Sequence, residues 1–199
     1  MADTEWGDLY RTHVEAVSAL APGLGEAELA TTVPATPQWT VHDVLRHMAG
    51  VPADVLAERT DGIPGPEWTQ RAVDERRGAG IEELLAELNA NTDAVAASLV
   101  DNPSPAIVWD IAVHHTDLHE ALGKGRPPAA YWQPIVDALR SKVPADVEAD
   151  DYELFRGLFS RRSRSQMQAW GRGQGRAPAE RLDEMCIFGP REDDQPIPA

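Results

Sequence analysis

The feature that most constrains this chain is a pattern that recurs four times: apolar residues at helical spacing, with almost nothing alternating between them. Glu5–Leu20 carries Leu9, Val14, Val17 and Leu20 on one side. The next helix is the best marked. Thr40 can cap it, Asp43 three residues on completes a capping box, and Trp39 and Val44 hold the staple positions. Its stripe is Val41, Val44, Leu45, Met48, Val51 and Val55, with a kink expected at Pro52. Gly and Pro make Asp61–Pro66 a loop. A third helix is expected over Ile81–Val100, through Leu84, Leu85, Leu88, Val95 and Leu99, broken at Asn102–Pro105. A fourth follows over Ala106–Leu122, stopped by Gly123. Four such segments predict a mostly α chain built on an antiparallel four-helix bundle.

That bundle accounts for residues 1–125, and Gly125–Pro128 reads as a linker. Residues 126–199 form a smaller C-terminal segment expected to pack on the bundle. Helices are expected at Pro134–Val143 and Asp151–Trp170, a loop at Arg172–Arg176, and a loose tail over Pro190–Ala199. A strand near Cys186–Phe188 is the alternative, so the segment is either helical or α+β.

With a net charge of −15, wholesale binding to nucleic acid or an anionic membrane is disfavoured. No apolar run is long enough for a transmembrane helix, and MADTEWGDLY lacks the basic and apolar regions of a secretory signal. The single cysteine, Cys186, permits neither an internal disulfide nor a cysteine-based zinc motif. A cytoplasmic protein is expected.

Five of the six histidines fall in two short windows: His42 and His47 in the second helix, and His114, His115 and His119 in the fourth. At about 100° per residue, Ile111, Leu118 and Leu122 mark the core stripe of the fourth helix. Asp110, His114 and Asp117 share one flank, and His115 and His119 share the other. Asp110 and His114 are i, i+4, the spacing by which one helix offers two ligands to one ion. Were His47 brought against them, a His₂–carboxylate set with vacant positions would result. That set suits Zn²⁺, with Fe²⁺, Mn²⁺ or Ni²⁺ also conceivable. Asp117 could then orient a ligand from behind. Spacing leaves two other readings open: His115 and His119 are also i, i+4, and a histidine near a bundle core is often only a hydrogen-bonded interior residue.

The runs Pro37-Gln-Trp-Thr-Val-His-Asp-Val-Leu-Arg-His-Met-Ala-Gly50 and Asp110-Ile-Ala-Val-His-His-Thr-Asp-Leu-His-Glu-Ala-Leu-Gly123 resemble the mycothiol-dependent maleylpyruvate isomerase family, within the DinB-like superfamily of metal-binding four-helix bundles. Trp68–Arg77 resembles the segment before the third helix in that family, and Glu153–Trp170 with Phe188–Arg191 resembles its C-terminal part. The resemblance implies His47, Asp110 and His114 as metal ligands. The acid position, commonly Glu in the family, is Asp110 here.

It also implies a thiol cosubstrate, mycothiol or a similar one, because coordination to a divalent cation deprotonates a thiol at neutral pH. Addition of the thiolate to a double bond, rotation and expulsion would isomerise maleylpyruvate. A metal-dependent, thiol-using isomerase or S-transferase acting on a small electrophile, with or without a carboxylate, is therefore expected, as a monomer or homodimer whose partners are that substrate and the thiol. Two alternatives stand beside it: a non-catalytic metal- or ligand-binding regulatory module of the same fold, and a metal-dependent hydrolase or tailoring enzyme that uses no thiol.

Between Arg156 and Arg176 the chain holds six arginines and no acid. Arg161, Arg162 and Arg164 are candidates for binding a substrate carboxylate. The plainer and slightly favoured reading is that the segment docks against the acidic bundle as a structural complement. Gly171–Arg176 lacks the spacing and preceding strand of a phosphate loop. Cys186, between Met185 and Ile187, reads as a small buried hydrophobe, and the six tryptophans as packing residues.

Overall fold

The computed structural model describes residues 5–100, 102, 105–171 and 175–198. Residues 103 and 104 of the expected break lie outside these, as do Arg172, Gly173 and Gln174 of the expected loop and Ala199 of the tail. The chain forms two compact units, one up to Lys124 and one from Gly125.

The first unit holds α1 (Trp6–Leu20), a short α2 (Glu26–Leu29), α3 (Val41–Leu56), α4 (Pro66–Asp74), α5 (Ile81–Ser98) and α6 (Ala106–Ala121). Four of these close a ring: α1 packs on α5 and α6, and α3 packs on the same two. Successive contacts Arg11–Asp93 and Ser18–Asn89 run α1 antiparallel to α5. The core is the predicted stripes together, with Val14, Val17, Val44, Leu45, Met48, Leu84, Leu88, Val95, Ile111 and Leu118 all buried.

The capping box at α3 is present in both directions. Thr40 Oγ1 accepts from the Asp43 N–H at 3.2 Å, and the Thr40 N–H donates to Asp43 Oδ2 at 3.0 Å, a device worth about 1 kcal/mol. Pro52 stands inside α3 without ending it. Helix α4, which sequence reading left in an unassigned stretch, starts with Pro66 in its first turn, where a missing N–H costs nothing. It docks on α3 at Gly50, where a Cβ would come within 2.7 Å of the Arg76 guanidinium, itself paired to Glu87.

The second unit has α7 (Gln133–Leu139), α8 (Asp151–Leu158), α9 (Arg164–Gln168) and α10 (Ala179–Met185). Trp132, Ile135, Tyr152, Phe155 and Leu158 form its core, and the Trp132 and Tyr152 rings meet edge to face at 5.5 Å.

Three expectations for this unit need correction. The helix expected over Asp151–Trp170 is two helices. Ser160 adopts the left-handed region (φ 59°), and Ser163 then caps α9 through a second capping box with Gln166. No strand forms at Cys186–Phe188 among the described residues, so the segment is helical rather than α+β. The Ile187 N–H instead donates to the Leu158 carbonyl at 2.8 Å, at the end of α8. The tail from Pro190 is not loose where described up to Gln195. The Arg164 N–H donates to the Arg191 carbonyl at 2.7 Å, Gln166 Nε2 donates to the Gln195 carbonyl at 2.6 Å, and Gln195 is buried.

Candidate metal centre

Helical periodicity stacks Asp110, His114 and Asp117 along one face of α6, where every residue from Ile111 to Leu118 is buried. The Thr40 cap sets the start of α3 and hence the face on which His47 falls, toward α6. His47 Nε2 lies 3.3 Å from Asp110 Oδ1, and His114 Nε2 lies 3.7 Å from the same oxygen. The two imidazole centroids are 4.7 Å apart. One donor atom from each of the three residues falls within 4.8 Å of the other two. Both histidines are buried, while the Asp110 side chain is 30% exposed, so the cluster opens on the carboxylate side.

Behind it, His114 Nδ1 lies 3.2 Å from Oδ2 of the fully buried Asp117. That carboxylate lies beside Nδ1 without completing a hydrogen bond and acts on the ring through its charge, while Nε2 faces His47 and Asp110. Burial holds the His114 imidazole below its ordinary pKa; the Asp117 and Asp110 carboxylates oppose that shift, and His47 adds to it. Two tryptophans wall the site. The Trp39 ring sits 4.9 Å from His47 and 6.0 Å from His114, and Trp68 meets His47 edge-on at 6.5 Å. Each is pinned by its indole N–H, Trp39 to Gln70 Oε1 at 3.1 Å and Trp68 to the Arg59 carbonyl at 2.8 Å. Sequence reading took these rings for packing alone.

The donor set fits a divalent cation. Bonds of about 2.0–2.2 Å in tetrahedral geometry put neighbouring donors about 3.4 Å apart, close to the two separations found here. The rival pair does not share this arrangement. His115 points to α1, with its Nδ1 3.1 Å from Nδ1 of His13 and its ring edge-to-face with His119 at 5.0 Å. Burial, with His13 and His119 adding to it, pushes His115 down to about 3. Among the described residues, the one three-donor cluster is His47, Asp110 and His114. His42 is half-buried and bonded to Arg46 at 3.2 Å. Sequence analysis missed His13 and Tyr10, both fully buried on α1; the available signal was a polar residue interrupting an apolar stripe.

The arginine candidates are engaged within their own unit. Arg162 is fully buried and forks onto Glu153, at 2.6 Å through Nε and 3.0 Å through Nη2. Arg164 pairs with Asp183 and Glu192, and Arg161 donates to the Phe159 carbonyl at 2.8 Å. Each of these partners lies in the second unit and gives the three arginines a structural role there, not one on the bundle. Cys186 is buried, and burial pushes its thiol up to about 11.

The family model that matches residues 10–124 puts the protein in the DinB-like class of helical bundles, and the ring of four helices agrees with it. More narrowly, the chain belongs to the family described as mycothiol maleylpyruvate isomerase N-terminal domain, matched over residues 10–124. That family is metal-binding and thiol-associated. No curated protein and no solved structure matches the chain. No helix among the described residues is long and apolar enough to cross a membrane.

Proposed function

We propose that this chain is a divalent-metal-dependent isomerase or S-transferase that uses mycothiol or a similar low-molecular-weight thiol on a small electrophilic substrate. The observation that carries the reading is the meeting of His47 Nε2 and His114 Nε2 at Asp110 Oδ1, with Asp117 behind His114. His47, Asp110 and His114 are the ligands in this reading and Asp117 the residue that orients one of them. A bound divalent cation, zinc by the donor set, would supply deprotonation of the thiol at neutral pH.

The chain's own contribution is preorganisation. Burial keeps His114 unprotonated, so its lone pair is available without loss of a proton. Trp39 and Trp68 exclude water on the histidine side, and the partly exposed Asp110 leaves the approach open for thiol and substrate. A cytoplasmic setting, where small thiols stay reduced, belongs to the same reading.

Elemental analysis of the purified protein tests it first, with about one equivalent of divalent metal per chain expected and the metal lost in His47→Ala. Turnover of a small panel of electrophiles should then require added thiol. Protein that carries no metal and takes none up removes the proposal. Metal-dependent turnover without thiol assigns a hydrolase instead, and metal binding without turnover assigns a binding module.

A further inference from the structure

We propose that Asp54 is a positioning residue for the metal centre: its buried carboxylate holds α4 so that the Trp68 ring fixes the imidazole of His47. The proposal rests on the metal reading above and concerns what orients one of its ligands. His114 has the Asp117 carboxylate beside its Nδ1. His47 has no such counterpart: its Nδ1 is buried and has no hydrogen-bond partner among the described residues. Metal-bound histidines are ordinarily oriented by a hydrogen bond from the nitrogen that faces away from the ion. With Nε2 turned to Asp110, the orientation of the His47 ring is left to packing, against Trp39 at 4.9 Å and Trp68 at 6.5 Å. Trp39 has its own anchor at Gln70.

The Trp68 wall is held by a knot of charge. Asp54 lies two turns after His47 on the same face of α3 and is fully buried. Its Oδ2 accepts from Arg71 of α4 at 2.8 Å, and its Oδ1 pairs with Arg59, just past the end of α3. Arg71 Nη2 also donates to the Arg59 carbonyl at 3.1 Å, the same oxygen that takes the Trp68 indole N–H at 2.8 Å. The circuit runs from α3 through Asp54, Arg71 and Arg59 to Trp68, and closes on α3 again at His47. A buried ion pair is a weak source of net stability, because desolvation of the charges offsets their attraction. What this one supplies is geometry. It sets one placement of α4 on α3 and holds the Arg59 carbonyl under the indole, which an apolar contact would not do.

The test measures cobalt(II) affinity and the visible ligand-field bands of bound cobalt in wild type, Asp54→Asn, Trp68→Phe and the double variant, with melting of the metal-free proteins alongside. Asp54→Asn keeps the volume and removes the charge, and Trp68→Phe removes the indole N–H. Folded Asp54→Asn should bind cobalt about 10-fold more weakly, with altered bands. The double variant should be no weaker than the weaker single one, since both substitutions cut the same circuit. Arg71→Met cuts it from the α4 side and carries the same comparison if Asp54→Asn does not fold. If neither folds, the knot is a determinant of the fold and the positioning role is overturned. Cobalt affinity within twofold of wild type and unchanged bands in folded Asp54→Asn overturn the role of Asp54 and leave the metal reading standing. Additive losses in the double variant overturn the route through Trp68. Wild-type protein that takes up no cobalt overturns both readings.

Discussion

Asp117→Asn isolates the part of the site that does not touch the metal itself in the proposed scheme. The Asp117 carboxylate is fully buried and 3.2 Å from His114 Nδ1. Its negative charge beside Nδ1 favours a proton on that nitrogen and makes the imidazole a stronger donor at Nε2. The carboxamide is nearly isosteric and can still accept through its oxygen, but it loses the charge and can turn its NH₂ toward the ring. Replacing such a partner of a metal-bound histidine costs 10- to 100-fold in cation affinity, about 1.4–2.7 kcal/mol. Removing a ligand outright should cost more. Zinc affinity measured at pH 7.5 by competition with a chelator should therefore fall in the order wild type, Asp117→Asn, His47→Ala. Melting of the metal-free proteins separates a local effect from unfolding. The reasoning fails if Asp117→Asn binds zinc within twofold of wild type, or if it is as poor as His47→Ala while still folded.

Two further outcomes follow from buried titratable groups. In the folded chain His115 is pushed down to about 3, chiefly by burial, with His13 and His119 facing it. The unfolded chain takes up that proton below its ordinary value near 6.5, so stability is fully present above that pH and falls as pH drops toward 3. The slope approaches about 1.4 kcal/mol per pH unit. Urea unfolding at pH 5 to 8 should show this slope, and His115→Leu should flatten it; an unchanged slope in the variant removes the assignment. The Cys186 thiol, pushed up to about 11 chiefly by burial, stays protonated and enclosed at pH 8. Iodoacetamide should label it only after denaturant is added, and rapid labelling of native protein would contradict the placement.

The parts of the site that a single helix fixes were legible in the sequence. Asp110, His114 and Asp117 share a face at any α-helical pitch, and the Thr40–Asp43 box sets where α3 begins and hence the face on which His47 falls. What spacing could not choose was between the Asp110–His114 pair and the His115–His119 pair, since both are i, i+4. That choice depends on which neighbour packs against each flank: α3 meets the first, and His13 of α1 meets the second. The break after α8 was hidden because Leu154, Phe155, Leu158 and Phe159 continue the helical period up to Ser160, whose left-handed backbone no composition rule marks.

The short side chain of Asp110 is accommodated by how close the helices lie. Aspartate's carboxylate stays near its own backbone, so it can meet a donor from another helix only where the two pack directly. Helices α3 and α6 do so, and Asp110 Oδ1 reaches 3.3 Å from His47 Nε2 without an extra methylene. The same short side chain keeps the acid at the rim, partly exposed, while the two imidazoles sit deep against Trp39 and Trp68. A ligand approaching from solvent therefore meets the carboxylate edge first and the histidine nitrogens behind it. Access and anchoring thus converge on Asp110, the most exposed of the three proposed ligands.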